Sequence, residues 1–304
     1  MSRLPNLVIA GAPRCGTTSL FRWLGDHPQV GVSAFKETFF LMDEGFTVKD
    51  RGRYHRDGLA GYEPFFAQLD GSHKVLLEAT PGYLYQDTAL KVLAEQLPQT
   101  KILFVLRRPA DRLLSTYRYF SNNWGELNSD RVDFESYVEM TLREDDALEV
   151  NEFLRRGFAH GRYVDWLQLW VDRCGSERIK ILVLESWLAD RSAGMQDLAE
   201  WCGLDASFYE RYRYPKENEA YRVRLRSLQR LNVWMRERLP QSSLRERLRR
   251  IYRRLNTAPP ERPEALETAQ LQRLDELYAD ANRDLAERFD LDLSSWCKPR
   301  PQVG

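Results

Sequence analysis

The chain has 304 residues, 43% hydrophobic and 12% aromatic, enough to build one large α/β domain around a substantial core. Its 45 basic and 45 acidic residues cancel, so bulk charge gives no ground for a nucleic-acid or membrane-surface partner. No apolar run reaches the roughly 18 residues that cross a bilayer, and the absence of internal repeats and low-complexity tracts excludes solenoid and fibrous architectures.

The first element in chain order is an apolar strand, Leu7-Val8-Ile9-Ala10-Gly11. It runs through Ala12-Pro13-Arg14-Cys15-Gly16-Thr17-Thr18 into an amphipathic helix. Gly11 and Gly16 keep the spacing of the G-x-x-x-x-G-K-[ST] phosphate loop, where backbone N–H groups at a helix N-terminus hold an anion. Thr17 stands where that motif has lysine, and the cation has moved into the loop as Arg14. This suits a nucleotide with a short 5′ anhydride better than a magnesium-bound triphosphate. Taken alone, the segment also reads as a glycine turn of ordinary α/β packing.

A second strand is expected over Gln29 to Ser33, with Lys36-Glu37-Thr38-Phe39-Phe40 in the loop after it. Further strands are expected over Val75 to Ala79, Lys101 to Arg107 and Ile179 to Leu184, alternating with helical patterns. That alternation predicts a P-loop-type α/β domain spanning residues 1–304, with a central parallel sheet and helices on both faces. The strand from Lys101 ends in Arg107-Arg108-Pro109. A helix from Ala110 to Phe120, with Leu113, Leu114 and Tyr117 at helical spacing, places Ser115 eight residues after Arg107. A strand-end arginine and a hydroxyl on the next helix suit a second phosphate, since ligands of open α/β sheets bind beyond the carboxyl ends of the strands.

Gly161-Arg162-Tyr163 precedes an aromatic helix containing Trp166, Leu167, Leu169 and Trp170. From Arg222 to Arg254 twelve arginines stand against Glu237 and Glu246, a net of +10. Leu244, Leu248, Ile251, Tyr252 and Leu255 recur there at helical spacing. A solvated amphipathic helix is the plain reading of this segment; an anionic acceptor, peripheral contact with an anionic membrane surface, or a subunit contact are the alternatives. A proline-rich loop over 256–265 and a helix from Leu266 to Phe289 follow. Cys15, Cys174, Cys202 and Cys297 show neither metal spacing nor close pairing and read as reduced thiols. Together with the lack of a signal-type segment before the first strand, they lead to the expectation of an unexported cytoplasmic protein.

Taken together, the motifs resemble those of sulfotransferases that use 3′-phosphoadenosine 5′-phosphosulfate (PAPS), in the Golgi-type and bacterial carbohydrate branch. Gly11 to Thr18 is similar to the family's 5′-phosphosulfate loop, and Leu106-Arg107-Arg108-Pro109 through Ser115 to its 3′-phosphate motif. Lys36-Glu37-Thr38-Phe39-Phe40 resembles the K-E-x-x-F segment of heparan sulfate 3-O-sulfotransferases. Leu77-Glu78-Ala79-Thr80-Pro81-Gly82-Tyr83 resembles their E-K-T-P-x-Y strand, and Asp292 to Trp296 extends the likeness weakly to the chain end. Three positions depart from that pattern: Arg14 and Ala79 replace lysines, and Phe39 replaces a histidine.

The resemblance implies a PAPS co-substrate without metal. It implies donor contacts from Arg14, Cys15, Gly16, Thr17, Thr18, Arg107 and Ser115, and from Tyr163 beside the adenine. Arg222 and Arg224 are looser additions by the same analogy. Transfer of a sulfuryl group builds negative charge on the leaving phosphate, so Arg14 is the candidate electrostatic catalyst. A hydroxyl acceptor, or with less support an amine, must lose a proton to a base. Glu37 is the candidate, with an exposed Lys36-Glu37 pair as its plain reading and His27, His55, His73 and His160 as fallbacks. The acceptor classes are a carbohydrate, a lipid or a small metabolite, with no nucleic acid. Golgi members carry a membrane anchor, so a bacterial-type cytoplasmic enzyme is expected. A P-loop nucleotide kinase and a catalytically silent nucleotide-binding scaffold remain as alternatives.

Overall fold

Five short apolar runs hydrogen-bond into one all-parallel sheet in the computed structural model of this chain, which describes residues 3–46, 52–123, 132–148, 151–215, 222–223, 228, 256–258 and 265–300. The strands are β1 (Leu7–Gly11), β2 (Val30–Val32), β3 (Val75–Ala79), β4 (Lys101–Leu106) and β5 (Ile179–Val183), in the order β2-β3-β1-β4-β5. All five residues of β1 are buried, as in a parallel strand covered on both faces. It pairs Leu7 with Leu77 and Ile9 with Ala79 on one side, and Leu7 with Lys101 and Ile9 with Leu103 on the other. The register with β4 shifts between Ile9 and Gly11, where the chain leaves the sheet.

The described residues divide into two compact units. The first takes Met1–Arg108, Arg162–Glu217 and Ala281–Lys298 and contains the sheet with α1 (Thr17–Gly25), α2 (Asp87–Glu95), α5 (Tyr163–Cys174) and α6 (Arg191–Cys202) around it. The indole of Trp170 on α5 donates to the carbonyl of Leu84 (3.0 Å) and meets the ring of Phe104 on β4 edge-on, 5.3 Å between centroids.

The second unit takes Pro109–Gly161, Asn218–Asp280 and Pro299–Gly304. Its core joins Leu113, Leu114 and Phe120 of α3 (Pro109–Asn123), Phe134, Tyr137 and Val138 of α4 (Phe134–Leu142), and Leu271, Leu274 and Tyr278 of α7 (Ala265–Phe289). The half-buried Arg300 ties α3 to α7, donating to Asp111 (2.9 Å) and in bidentate fashion to Asp275 (2.7 and 3.0 Å).

Boundaries differ from expectation where a helix begins early. β4 ends at Leu106, before Arg107, because Pro109 cannot extend the ladder and instead opens α3 with its preset φ. β5 ends at Val183, because Leu184 starts a short helix, Leu184–Ala189. The arginine-rich segment, expected to be helical, starts as a two-residue strand: β6 (Arg222–Val223) pairs antiparallel with β7 (Thr257–Ala258), inside the stretch expected to be a loop. Apart from residue 228, positions 224–254 lie outside the described residues, as do 259–264 of the proline-rich stretch.

Gly11 is required by close approach. A Cβ there would sit 2.8 Å from Leu84 Cβ and 3.0 Å from the Phe104 ring. Gly11→Ala is expected to lower the unfolding free energy by about 1–3 kcal/mol through overpacking, read by urea denaturation. An unchanged midpoint would mean that Leu84 and Phe104 give way.

Candidate active site

The three central strands deliver their carboxyl ends to one edge of the sheet: candidate segments follow β1 and β4 there, and a third, which follows β2, is tied to the end of β3. The loop after β1 is built on two left-handed residues, Arg14 (φ +70°) and Gly16 (φ +81°), a backbone pattern that makes anion-binding concavities. Gly16 caps α1, and its carbonyl accepts from the N–H groups of Ser19 (3.1 Å) and Leu20 (3.3 Å). No side chain caps this N-terminus and its first turn holds no acidic residue, so the helix end presents N–H donors and a positive dipole. A side chain in place of Gly16 would need both a left-handed backbone and room now filled by Leu184, 2.9 Å from the Cβ position.

The loop is braced from below. Ala12 N–H donates to Val105 of β4 (2.9 Å), and Arg107 Nη1 donates to the Arg14 carbonyl (3.4 Å). The structure therefore brings Arg14 and Arg107 together at the ends of neighbouring strands. The hydroxyl of Tyr163 donates to the Arg107 carbonyl (2.9 Å) and lies 3.6 Å from Cys15 Sγ. Tyr163 is 1% exposed, with Trp296 at 6.2 Å between centroids, so here it is a core brace beneath both segments. Cys15 is fully buried and is likewise part of the loop's foundation. Ser115 is half-buried on α3 in the second unit, whereas Arg107 belongs to the first.

Glu37 lies beside the end of β3. Its N–H donates to the Ala79 carbonyl (2.8 Å), its φ is +65°, and its carboxylate pairs with Lys36 Nζ at 2.7 Å with 40% of the side chain exposed. Because Ala79 is the register partner of Ile9, the loop of Glu37, which leaves β2, is tied to β3 at the edge where the loop of Arg14 leaves the neighbouring β1.

The histidines are engaged elsewhere. His27 Nδ1 accepts from Gln29 N–H (3.1 Å), which leaves Nε2 as the donor to the Asp205 carbonyl (3.0 Å). His55 Nε2 contacts Thr88 Oγ1 at 3.0 Å, and His73 faces Asp70 at 3.6 Å. His160, in the second unit, is fully buried, and burial holds its imidazole well below the usual range.

Two glutamates shape the site without having been among the sequence candidates. Glu185 accepts from Arg108 N–H (3.0 Å) and from the Trp296 indole (2.8 Å). Its partners are 77 and 111 residues away, so no local pattern marks it. Glu78 is fully buried in β3, and a carboxylate in the otherwise apolar strand Val75–Ala79 is the signal that could have found it. Its Oε1 accepts from Thr80 Oγ1 (2.6 Å) and Thr38 Oγ1 (2.9 Å), while Oε2 has no hydrogen-bond partner among the described residues. Burial pushes this carboxyl up to about 7, against the opposing pull of the two threonine hydroxyls and of the Lys36 charge.

A sulfotransferase family model matches residues 5–208, two thirds of the chain and all of the segments just described except the chain end. The chain belongs to the sulfotransferase family. Among its curated relatives, a membrane-associated sulfotransferase of Dictyostelium discoideum is 29% identical over 148 residues, 48% of this sulfotransferase and 29% of the relative. A human bifunctional heparan sulfate N-deacetylase/N-sulfotransferase is 25% identical over 203 residues, 66% of this chain but 22% of that protein. The chain thus spans less than a third of the length of the curated relatives it matches. The crystal structure of a sulfotransferase from Alicyclobacillus acidocaldarius superposes with a TM-score of 0.65 at 20% identity, covering 97% of this chain and 99% of that one. This likeness establishes the common fold, and the family assignment leaves the nucleotide-kinase alternative without support.

The raised Glu78 sets a pH dependence of stability. The folded protein keeps this proton up to about pH 7, whereas the unfolded chain releases it near 4.5. Between those values the native state binds more protons than the unfolded state, so this group's contribution falls as pH rises and levels off above the window. Glu78→Gln removes the term. Urea unfolding of both proteins across that window is expected to show the variant gaining on the parent by up to about 3 kcal/mol. A constant difference would mean that Glu78 ionises normally.

Proposed function

We propose that this sulfotransferase moves a sulfuryl group from PAPS to a hydroxyl of a carbohydrate, lipid or small-metabolite acceptor. The observation that carries the reading is the pairing of Arg14 and Arg107 at the sheet edge, beside a helix N-terminus with neither a side-chain cap nor an acidic first turn. This donor set fits a bisphosphorylated nucleotide: fixed cations and backbone N–H groups, with Thr17 where a triphosphatase would place its lysine. The donor supplies a sulfuryl group on a phosphate leaving group.

In this reading the N–H groups of Gly16, Thr17 and Thr18 and the guanidinium of Arg14 hold the 5′ end and neutralise the charge that develops there. Arg107 meets the 3′-phosphate with its planar fork. Glu37 takes the acceptor proton, a role its 40% exposure permits because an acceptor must reach it from solvent. An amine is the second acceptor class, favoured by the likeness to bifunctional heparan sulfate N-deacetylase/N-sulfotransferases. A bacterial-type cytoplasmic setting remains part of the proposal.

The donor half predicts that 3′-phosphoadenosine 5′-phosphate binds at least about tenfold more tightly than ADP, one charge-assisted contact being worth roughly 1.5–3 kcal/mol. Arg107→Ala should erase that preference. Equal affinities for the two nucleotides in calorimetry with the parent protein would overturn the donor assignment.

The catalytic half is read with PAPS and a panel of hydroxyl and amine acceptors. Glu37→Gln is expected to keep donor affinity and lower turnover by about 10² to 10⁴. Arg14→Ala is expected to lower it by about 10² or more through lost charge stabilisation. Turnover surviving Arg14→Ala within about threefold would remove that arginine from the mechanism. No turnover by the parent on any acceptor would favour the silent scaffold.

A further inference from the structure

The loop that presents Glu37 is held in an unfavourable shape. Glu37 and Phe39 both adopt left-handed backbone, at φ +65° and +56°, although neither is glycine. Such conformations persist only where the surroundings over-determine them. The restraints converge on one buried atom. Leu41 N–H donates to the Tyr83 hydroxyl (3.2 Å), which lies 3.1 Å from Thr38 Oγ1, and that hydroxyl donates to Glu78 Oε1 (2.9 Å). In parallel, Phe39 N–H donates to Thr80 Oγ1 (3.3 Å), which donates to the same Oε1 at 2.6 Å. Thr38 N–H also points at Oε1 (3.4 Å), and Phe40 N–H is held by Thr38 Oγ1 (3.3 Å). Both relays therefore end on Glu78, while the Glu37 N–H is fixed by the neighbouring carbonyl of Ala79.

We propose that Glu78 is a positioning residue for sulfuryl transfer, its buried carboxyl locking the Lys36–Leu41 loop in the left-handed form that presents Glu37 to the acceptor. This rests on the reading of Glu37 as the base. Glu78 is fully buried, so it acts through the loop and touches no acceptor. All its hydrogen bonds from Thr38 and Thr80 fall on Oε1, so a carbonyl oxygen in that place would serve as well. The role therefore needs an acceptor atom and not a charge. Tyr62, Tyr83 and Lys36 are the titratable groups that face it.

The test is a double-mutant cycle read by kcat and by the Kd for 3′-phosphoadenosine 5′-phosphate. Glu78→Leu is expected to lower kcat by about 10- to 100-fold, the cost of a misplaced catalytic group, with Kd within about twofold of the parent because the Gly11–Thr18 loop is untouched. Glu78→Gln should recover kcat to within about fivefold, its amide oxygen replacing Oε1. On top of Glu37→Gln, Glu78→Leu should add less than about a twofold loss, since the group it positions is gone. A full, multiplicative loss in that background, or kcat and affinity falling together, overturns the positioning role. Parent-like turnover of Glu37→Gln alone would instead overturn the base assignment. If Glu78→Leu does not fold, Thr38→Val cuts one relay: a kcat loss of at least about fivefold at unchanged Kd supports the proposal, and an effect within twofold overturns it.

Discussion

Strand β1 lies between β3 and β4 with parallel register on both sides, and every candidate segment of the first unit takes its position from that pairing. A parallel sheet sends successive chain segments out at the same edge, so segments distant in sequence arrive side by side. The loop of Arg14 leaves β1, Glu37 is tied to the end of β3, and Arg107 follows β4. The register shift after Ile9 and the bare Cα of Gly11 let the first loop turn tightly against Leu84 and Phe104.

Charge is handled differently at the three ends. Arg14 and Arg107 stay half-buried, and their loops are held through backbone carbonyls, by Arg107 Nη1 on one side and the Tyr163 hydroxyl on the other. Glu185 fastens the next turn through the Arg108 N–H and the Trp296 indole, a neutral pair of donors. At β3 a carboxyl is buried outright, and desolvation raises Glu78 to about 7, while the loop it anchors holds two left-handed residues. The two features are 40 residues apart in the chain and meet through the Thr38 hydroxyl, at a site where local rules are commonly broken for function.

Much of the fold was legible because its elements are local. β1 and β3 match the apolar runs residue for residue, and α7 begins one residue before its expected start, since burial on both faces writes a continuous apolar string and amphipathic helices write a 3.6-residue period. β4 and β5 ran one residue short for a local reason too, the entry of Pro109 and Leu184 into helices. The Gly11–Thr18 loop stood out in the sequence because glycine spacing and an arginine are intrinsic to that segment.

By itself the sequence determined the strands of the parallel sheet, the Gly11-to-Thr18 loop, the strand-end Arg107 and the loop of Glu37, because each is specified by residue types within a few positions of one another. Tertiary structure alone decided which of them meet. It put Tyr163 under Arg107 and Cys15 across 56 and 148 residues, and joined the Thr38 loop to Glu78 across 40. It also turned Glu78 from one more residue of a strand into the end point of two hydrogen-bond relays. Such pairings depend on strand order and register, and a sheet order of β2-β3-β1-β4-β5 is set by how whole elements bury their faces against one another, which no short window of sequence contains.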